Sequence, residues 1–213
     1  MQNIKKISLI AIILMAILSF SNLLGLKIAG LAVVVGVILF FVHKASEKQP
    51  FEGSGLDIGA IRINFKDKSI WFWIALPIIM DAVAIAISKL LLPEYLEHVL
   101  ARTEAFVSFD KVLILIIQLA FLALGEEIAW RAFFQKQLNK ALPIIPTLLI
   151  SSLLFAIGHF NQGNAVIVLY DALFVFINCV LYGVIFHKTN NAWISAISHF
   201  VANLFSIIIL VFQ

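Results

Sequence analysis

The chain has 213 residues, of which 62% are hydrophobic and only 13% charged, with a formal net charge of +3. That composition excludes an ordinary soluble domain and a disordered one, and it points to an integral membrane protein. A single cysteine, Cys179, excludes a disulfide framework, and so slight a positive charge gives no footing for nucleic-acid binding.

Seven apolar segments follow in order, at roughly 7–24, 28–43, 69–92, 111–138, 144–160, 164–186 and 191–212. Lys5 and Lys6 before the first segment resemble the start of a signal peptide, but no small-x-small cleavage site follows and further spans do. The first two segments are joined only by Leu24-Gly25-Leu26-Lys27, so 7–43 either crosses twice or forms a tight re-entrant hairpin. Segment 44–68 is a polar connection with Lys44, Lys48, Arg62, Lys66 and Lys68; its Glu52-Gly53-Ser54-Gly55 reads as flexible and 56–66 as a short surface element. The second polar connection, 93–110, is richer in acid (Glu94, Glu97, Glu104, Asp110) than in base. No internal repeat is evident. The expected fold is all-α, a polytopic transmembrane helix bundle of about six or seven spans, with 1–213 as one integral membrane domain.

Basic residues orient the bundle. Lys5, Lys6, the 44–68 connection, Lys136, Lys140 and Lys188 fall on one side of a seven-span path; Lys27, Lys89, Arg102 and Lys111 fall on the other. The positive-inside rule then predicts a multi-pass protein of the cell membrane with a cytoplasmic N-terminus, whether or not the first two segments cross. Membrane lipid is the one partner implied by composition.

The fourth segment carries Gly125-Glu126-Glu127-Ile128-Ala129-Trp130-Arg131 inside an otherwise apolar run. A charge at bilayer depth costs roughly 2.5–3.5 kcal/mol on insertion scales, so three together must satisfy one another or act. Glu127 and Arg131 are four apart and meet on one helix face as an ion pair. Glu126 lies about 100° round the helix and is left over.

Three more polar positions lie at a similar depth. His159 ends Phe155-Ala156-Ile157-Gly158-His159, and His199 and Asn203 share a face four residues apart. At 1.5 Å per residue, Glu126 lies roughly 18 Å from residue 138, His159 roughly 22 Å from residue 144, and His199 and Asn203 roughly 12 and 18 Å from residue 191. His43 and His187, each beside a lysine at a span boundary, and His98 in the acidic connection read as boundary residues. Asp81 and Asp171 are intramembrane acids without a local partner, open to a cavity or to pairing across helices. Ser151, Ser152, Ser195, Ser198 and Ser206 read as helix-packing residues.

A carboxylate and two imidazoles at one depth are the parts for activating a water: the carboxylate takes the proton, one imidazole positions the water, and the second imidazole with a carboxamide hydrogen-bonds an oxyanion. The same Glu/His/His set could hold Zn²⁺ with an open position, although no His-Glu-x-x-His occurs. Another reading of the buried polar groups is a proton-coupled transporter, without the inverted repeat such folds carry; the alternative of a non-catalytic immunity or scaffold protein comes only with the family resemblance given next.

Glu126-Glu127-x-x-x-Arg131, Phe155-x-x-x-His159 and His199-x-x-x-Asn203, in this order on separate spans, resemble the three-motif signature of the CPBP family of CAAX proteases and bacteriocin-processing (Abi) enzymes. Lys188-Thr189-Asn190-Asn191-Ala192-Trp193 is similar to the family's lead-in to the last motif, and Ala132 stands where a glycine often follows the arginine. The resemblance covers about 111–206. It implies an intramembrane endopeptidase whose cavity opens to the cytoplasm and whose substrate is a peptide or membrane protein. Carried over, Glu126 and His159 would activate the water, His199 and Asn203 would stabilise the oxyanion, and Glu127 and Arg131 would be a supporting pair. The family has been described both as metalloproteases and as glutamic proteases; the metal-free version, with no cofactor, is the one favoured here.

Overall fold

The computed structural model describes residues 4–48, 50–104 and 111–211; Asp110 of the acidic connection lies outside them. Every apolar segment is helical, and among the described residues there is no strand. The helices are α1 (Lys6–Ser19), α2 (Leu31–Ser46), α3 (Lys68–Leu91), α4 (Tyr95–Glu104), α5 (Val112–Leu138), α6 (Ile144–Gly158), α7 (Ala165–Thr189) and α8 (Ala192–Val211). Lys6–Leu24, Lys68–Leu91, Val112–Leu138, Ala165–Thr189 and Ala192–Leu210 are long and apolar enough to cross a membrane, whereas Leu31–Ser46 and Ile144–Gly158 are shorter.

Local chemistry sets the helix ends. Asp67 caps α3 by accepting from the Ser69 amide at 2.9 Å, and Asn164 caps α7 by accepting from the Val166 amide at 2.9 Å. Asn190 closes α7 in the left-handed conformation at φ 47°, which asparagine tolerates. The acidic connection is not wholly irregular: α4 fills Tyr95–Glu104.

The bundle has two unlike ends. At one, the 44–68 connection is sewn down. Asn191, fully buried, donates to the Asp57 carbonyl at 2.7 Å and to Asn64 Oδ1 at 3.0 Å, and Lys136 Nζ donates to the Gly53 carbonyl at 2.6 Å. Lys5 pairs with Glu47 at 2.7 Å and ties the start of α1 to the end of α2. The expected flexible Glu52-Gly53-Ser54-Gly55 is therefore docked: Ser54 is buried, and the Gly55 carbonyl accepts from the Ala192 amide at 2.8 Å. Gly55 holds φ 101°, and a Cβ there would lie 3.2 Å from the Phe186 ring, so both its conformation and its packing require glycine. The expected surface element within 56–66 is a single helical turn, Ile61–Asn64.

At the other end, α1 and α2 stop short. The α-helical part of the first is 14 residues, about 21 Å, extended by the turn Asn22–Leu24 to the 19-residue span Lys6–Leu24, while α2 at 16 residues is about 24 Å, below the roughly 30 Å of a hydrocarbon core. Their register against α5 is fixed by close approach: a Cβ on Gly36 would meet Ala129 Cβ at 2.6 Å, and one on Gly125 would meet Val33 at 3.6 Å. The hairpin tip consequently lies level with Gly125 and with the end of α6, where Asn22 Nδ2 donates to the Gly158 carbonyl at 2.7 Å. The outer face of α5 beyond it stays uncovered, with Leu113 71% and Phe121 74% exposed.

Candidate active site

Helix α5 changes its winding at the site. Val112–Glu127 is α-helical, and Ile128–Gln135 is a π-helix in which every residue is buried. Such widened turns recur at functional sites. Trp130, Arg131, Phe133 and Phe134 are all accommodated here, and a helix with one apolar face would leave some of them in lipid.

The two neighbouring glutamates have opposite surroundings. Glu127 is fully buried: Oε2 accepts from Arg131 Nε at 3.2 Å, and Oε1 lies 3.1 Å from His199 Nδ1. Arg131, also fully buried, directs Nη2 to Cys179 Sγ at 2.8 Å and stands 5.9 Å above the Phe155 ring, while Nη1 has no hydrogen-bond partner. Glu126 keeps a fifth of its side chain exposed, and Oε2 lies 3.6 Å from His199 Nε2. His199 thus stands between two carboxylates, one at each ring nitrogen, and its ring stacks on Tyr182 with centroids 4.4 Å apart at 18°.

His159 caps the end of α6. Its Nδ1 lies 2.9 Å from the Phe155 carbonyl, which can only accept. Nδ1 therefore carries the hydrogen, and Nε2 of the neutral ring is left as an acceptor. Phe155 packs its ring 4.4 Å from that of His159.

Glu126, His159, His199 and Asn203 line one cavity of about 790 Å³, together with Trp130 and Tyr182. Glu127 and Arg131 lie behind its wall and do not line it. All six expected residues are thus placed, four on the cavity and two supporting them. Glu127 does more than pair with Arg131, since it also holds His199.

Residues 108–205 match the family described as Type II CAAX prenyl endopeptidase Rce1-like. Over that stretch the chain is similar to the CPBP family. The match takes in α5 to Phe205 of α8, hence every residue of the three motifs, and amounts to just under half the chain. No curated protein and no solved structure matches. The match and the five helices long and apolar enough to cross a membrane among the described residues support a multi-pass membrane protein similar to an intramembrane protease family.

Some CPBP proteins have been read as zinc enzymes. Among the described residues no three His, Cys, Asp or Glu side chains are grouped so as to hold a metal ion. The three that do cluster, Glu126, Glu127 and His199, include a carboxylate already bound by Arg131.

Two further polar clusters lie on the cavity wall, built round the intramembrane acids Asp81 and Asp171 whose partners were not named from the sequence. Asp81 accepts from Asn178 Nδ2 at 2.5 Å and from Ser206 Oγ at 2.8 Å, joining α3, α7 and α8. Asp171 meets Arg102 Nε at 3.2 Å and Nη2 at 3.3 Å, tying α4 across α7. Both acids line the cavity and both pair across helices. Ser206 is not a simple packing residue, unlike Ser151 and Ser195, which bond their own helix backbone. Asn178, a carboxamide inside an apolar span, was the signal available.

The cavity lies toward one end of the bundle. Its lining comes from the hairpin tip, α4, the turn after α6 and the adjoining halves of the long helices, and none of it comes from 44–68, 139–143 or 190–191. The mouth is thus at the end opposite the basic connections. The physical cause is the short hairpin and short α6, which leave that end open while the other is sewn shut.

Proposed function

We propose that this protein is an intramembrane endopeptidase that hydrolyses a peptide or membrane-anchored substrate with a water activated by Glu126 and His159, without a metal. Glu126 carries the reading: of the two adjacent carboxylates, it alone faces the cavity, while Glu127 is committed to Arg131 and His199. A water held between the Glu126 carboxylate and the Nε2 acceptor of His159 would pass a proton to Glu126 as its oxygen attacks the scissile carbonyl carbon. The oxyanion so formed would accept hydrogen bonds from the Asn203 carboxamide and from His199. The donor on His199 would be Nε2, the nitrogen that faces Glu126. Glu126 would then hand its proton to the departing amine as the C–N bond breaks.

The test is turnover of a fluorogenic peptide by purified protein in liposomes. Glu126→Gln should cut turnover at least ~10²-fold, the usual size of a general-base contribution. Folding should be kept, because Glu126 is not one of the fully buried partners. Chelators should leave the parent's turnover intact. Undiminished cleavage by the variant would remove Glu126 from the chemistry, and chelator inhibition reversed by Zn²⁺ would replace the metal-free route with a metal-assisted one.

A further inference from the structure

We infer that Asp81, with Asn178 beside it, is an acceptor subsite of the cavity that takes a backbone N–H group of a bound extended peptide, one or two residues from the scissile bond, and so sets which bond is cut. The inference rests on the peptidase reading for its ligand, and its test reads binding as well as cleavage.

A peptide drawn into a cavity at membrane depth brings carbonyls that need donors and amides that need acceptors, and neither lipid nor an apolar wall supplies them. Donors stand on the wall at Asn203 and His199. Among the described residues, the acids that line the cavity are Glu126, Asp81 and Asp171. Glu126 faces His199 and, on the peptidase reading, holds the water. Asp171 is occupied by a cation, with Arg102 Nε at 3.2 Å and Nη2 at 3.3 Å. Asp81 differs from both. Its partners are neutral, Asn178 Nδ2 on one oxygen at 2.5 Å and Ser206 Oγ on the other at 2.8 Å. Among the described residues no Lys, Arg or His forms an ion pair with it. An ionised carboxylate has about four acceptor positions, and these two donors leave roughly half of them free.

A second acceptor stands next to it. Asn178 is 8% exposed and lines the same cavity, and its Oδ1 has no hydrogen-bond partner. The Asn178 amide and the Ser206 hydroxyl both spend their donors on Asp81, so the cluster has acceptors to offer and a ligand must bring the donor.

Helix spacing puts this cluster beside the oxyanion donors. Asn203 and Ser206 are three apart on α8, and Tyr182, which stacks on His199, is four from Asn178 on α7. Each pair shares a helix face. The two helices run in opposite directions from the turn at Asn190, and both steps lead away from that turn. The cluster therefore lies about one helical turn, roughly 5 Å, from the level of Asn203 and His199. An extended peptide advances about 3.3 Å per residue, so the amide that meets Asp81 belongs to a residue one or two positions from the scissile carbonyl. A contact to the backbone fixes the peptide's register and asks nothing of its side chains.

The test is a backbone scan with dabcyl-labelled peptides of one sequence, in which each amide in turn is replaced by an ester that keeps the shape and loses the N–H. Binding is read in detergent on Glu126→Gln protein as quenching of tryptophan fluorescence, since Trp130 lines the cavity, and the bond cut is read on the parent. One ester, within two residues of that bond, should weaken binding about 10-fold, the size of a hydrogen bond to a charged acceptor. Adding Asp81→Ala should shrink that penalty at least threefold; should this variant not fold, Asn178→Ala, which unseats one partner of Asp81, takes its place with the same expected result. A scan without a position-specific penalty, a penalty further from the cut, or one unchanged by the variant overturns the inference. A penalty that the variant relieves, in a protein whose parent leaves every peptide intact, sinks the peptidase reading alone. Cleavage without any position-specific penalty sinks this inference alone.

Discussion

Arg131 offers the sharpest test of how charge is held inside this bundle. It is fully buried, with Nε 3.2 Å from Glu127 Oε2 and Nη2 2.8 Å from Cys179 Sγ. Arg131→Met keeps much of the volume but leaves Glu127 a buried carboxylate without its cation. Breaking a buried pair from one side costs about 3–5 kcal/mol. His199 Nδ1 remains 3.1 Å from the other Glu127 oxygen, so the loss should fall at the low end, ~3 kcal/mol. For a chain of this size each kcal/mol moves the melting temperature by about 2–4 °C, which gives a fall of roughly 6–12 °C. Thermal melting in detergent, followed by tryptophan fluorescence, reads it, because Trp130 is buried one residue away. The double variant Glu127→Gln/Arg131→Met removes the stranded charge and still accepts from His199, so it should recover at least half of the fall. A single variant that melts within about 2 °C of the parent, or a double variant no better than the single, would refute the view that the stranded carboxylate sets the cost.

Gly36→Val should destabilise by about 1–3 kcal/mol through overpacking, since its Cβ would fall 2.6 Å from Ala129 Cβ and 2.9 Å from Ala129 Cα; a melting temperature equal to the parent's would mean that α2 and α5 do not pack this closely. Asn203→Ala should lower kcat by roughly 10²–10³ with KM little changed, the mark of a contact made only in the transition state; a change confined to KM would make Asn203 a binding residue instead. Glu127→Gln should lower kcat and displace the pH–rate profile, because it alters what holds His199 Nδ1; lower yield with an unmoved profile would leave Glu127 a purely structural partner.

The elements were legible because each apolar run is long enough to be read as a helix whatever its rotation. Glu127–Arg131 was legible because its two members sit four apart on one helix. The convergence of Glu126, His159, His199 and Asn203 could be read from depth alone. What depth cannot supply is the rotation of each helix about its axis. In a bundle whose helices are apolar on every side, periodicity does not say which face looks inward. That is why Glu127–His199, Asp81–Asn178–Ser206 and Asp171–Arg102 went unread, although every one of these residues is conspicuous in an apolar run or a polar connection. The end of the bundle at which the cavity lies was hidden for a different reason. It depends on where the α1–α2 hairpin ends relative to α5, a register set by the contact of Gly36 with Ala129.

The π-helical stretch Ile128–Gln135 has neighbours on all its flanks, with Ala129 against α2, Trp130 against Phe155 of α6 and Arg131 against Cys179 of α7. A helix gripped on every side behaves as a post sunk in masonry: it can neither slide nor turn without displacing several walls at once. Glu126 stands two residues from the foot of that post and inherits its immobility. Whatever yields when a bulky chain is admitted has to come from parts with a free flank, and those are the hairpin tip and the exposed outer face of α5 above it. The cavity is thus divided into a closely packed wall that carries the Glu126 carboxylate and an exposed apolar rim.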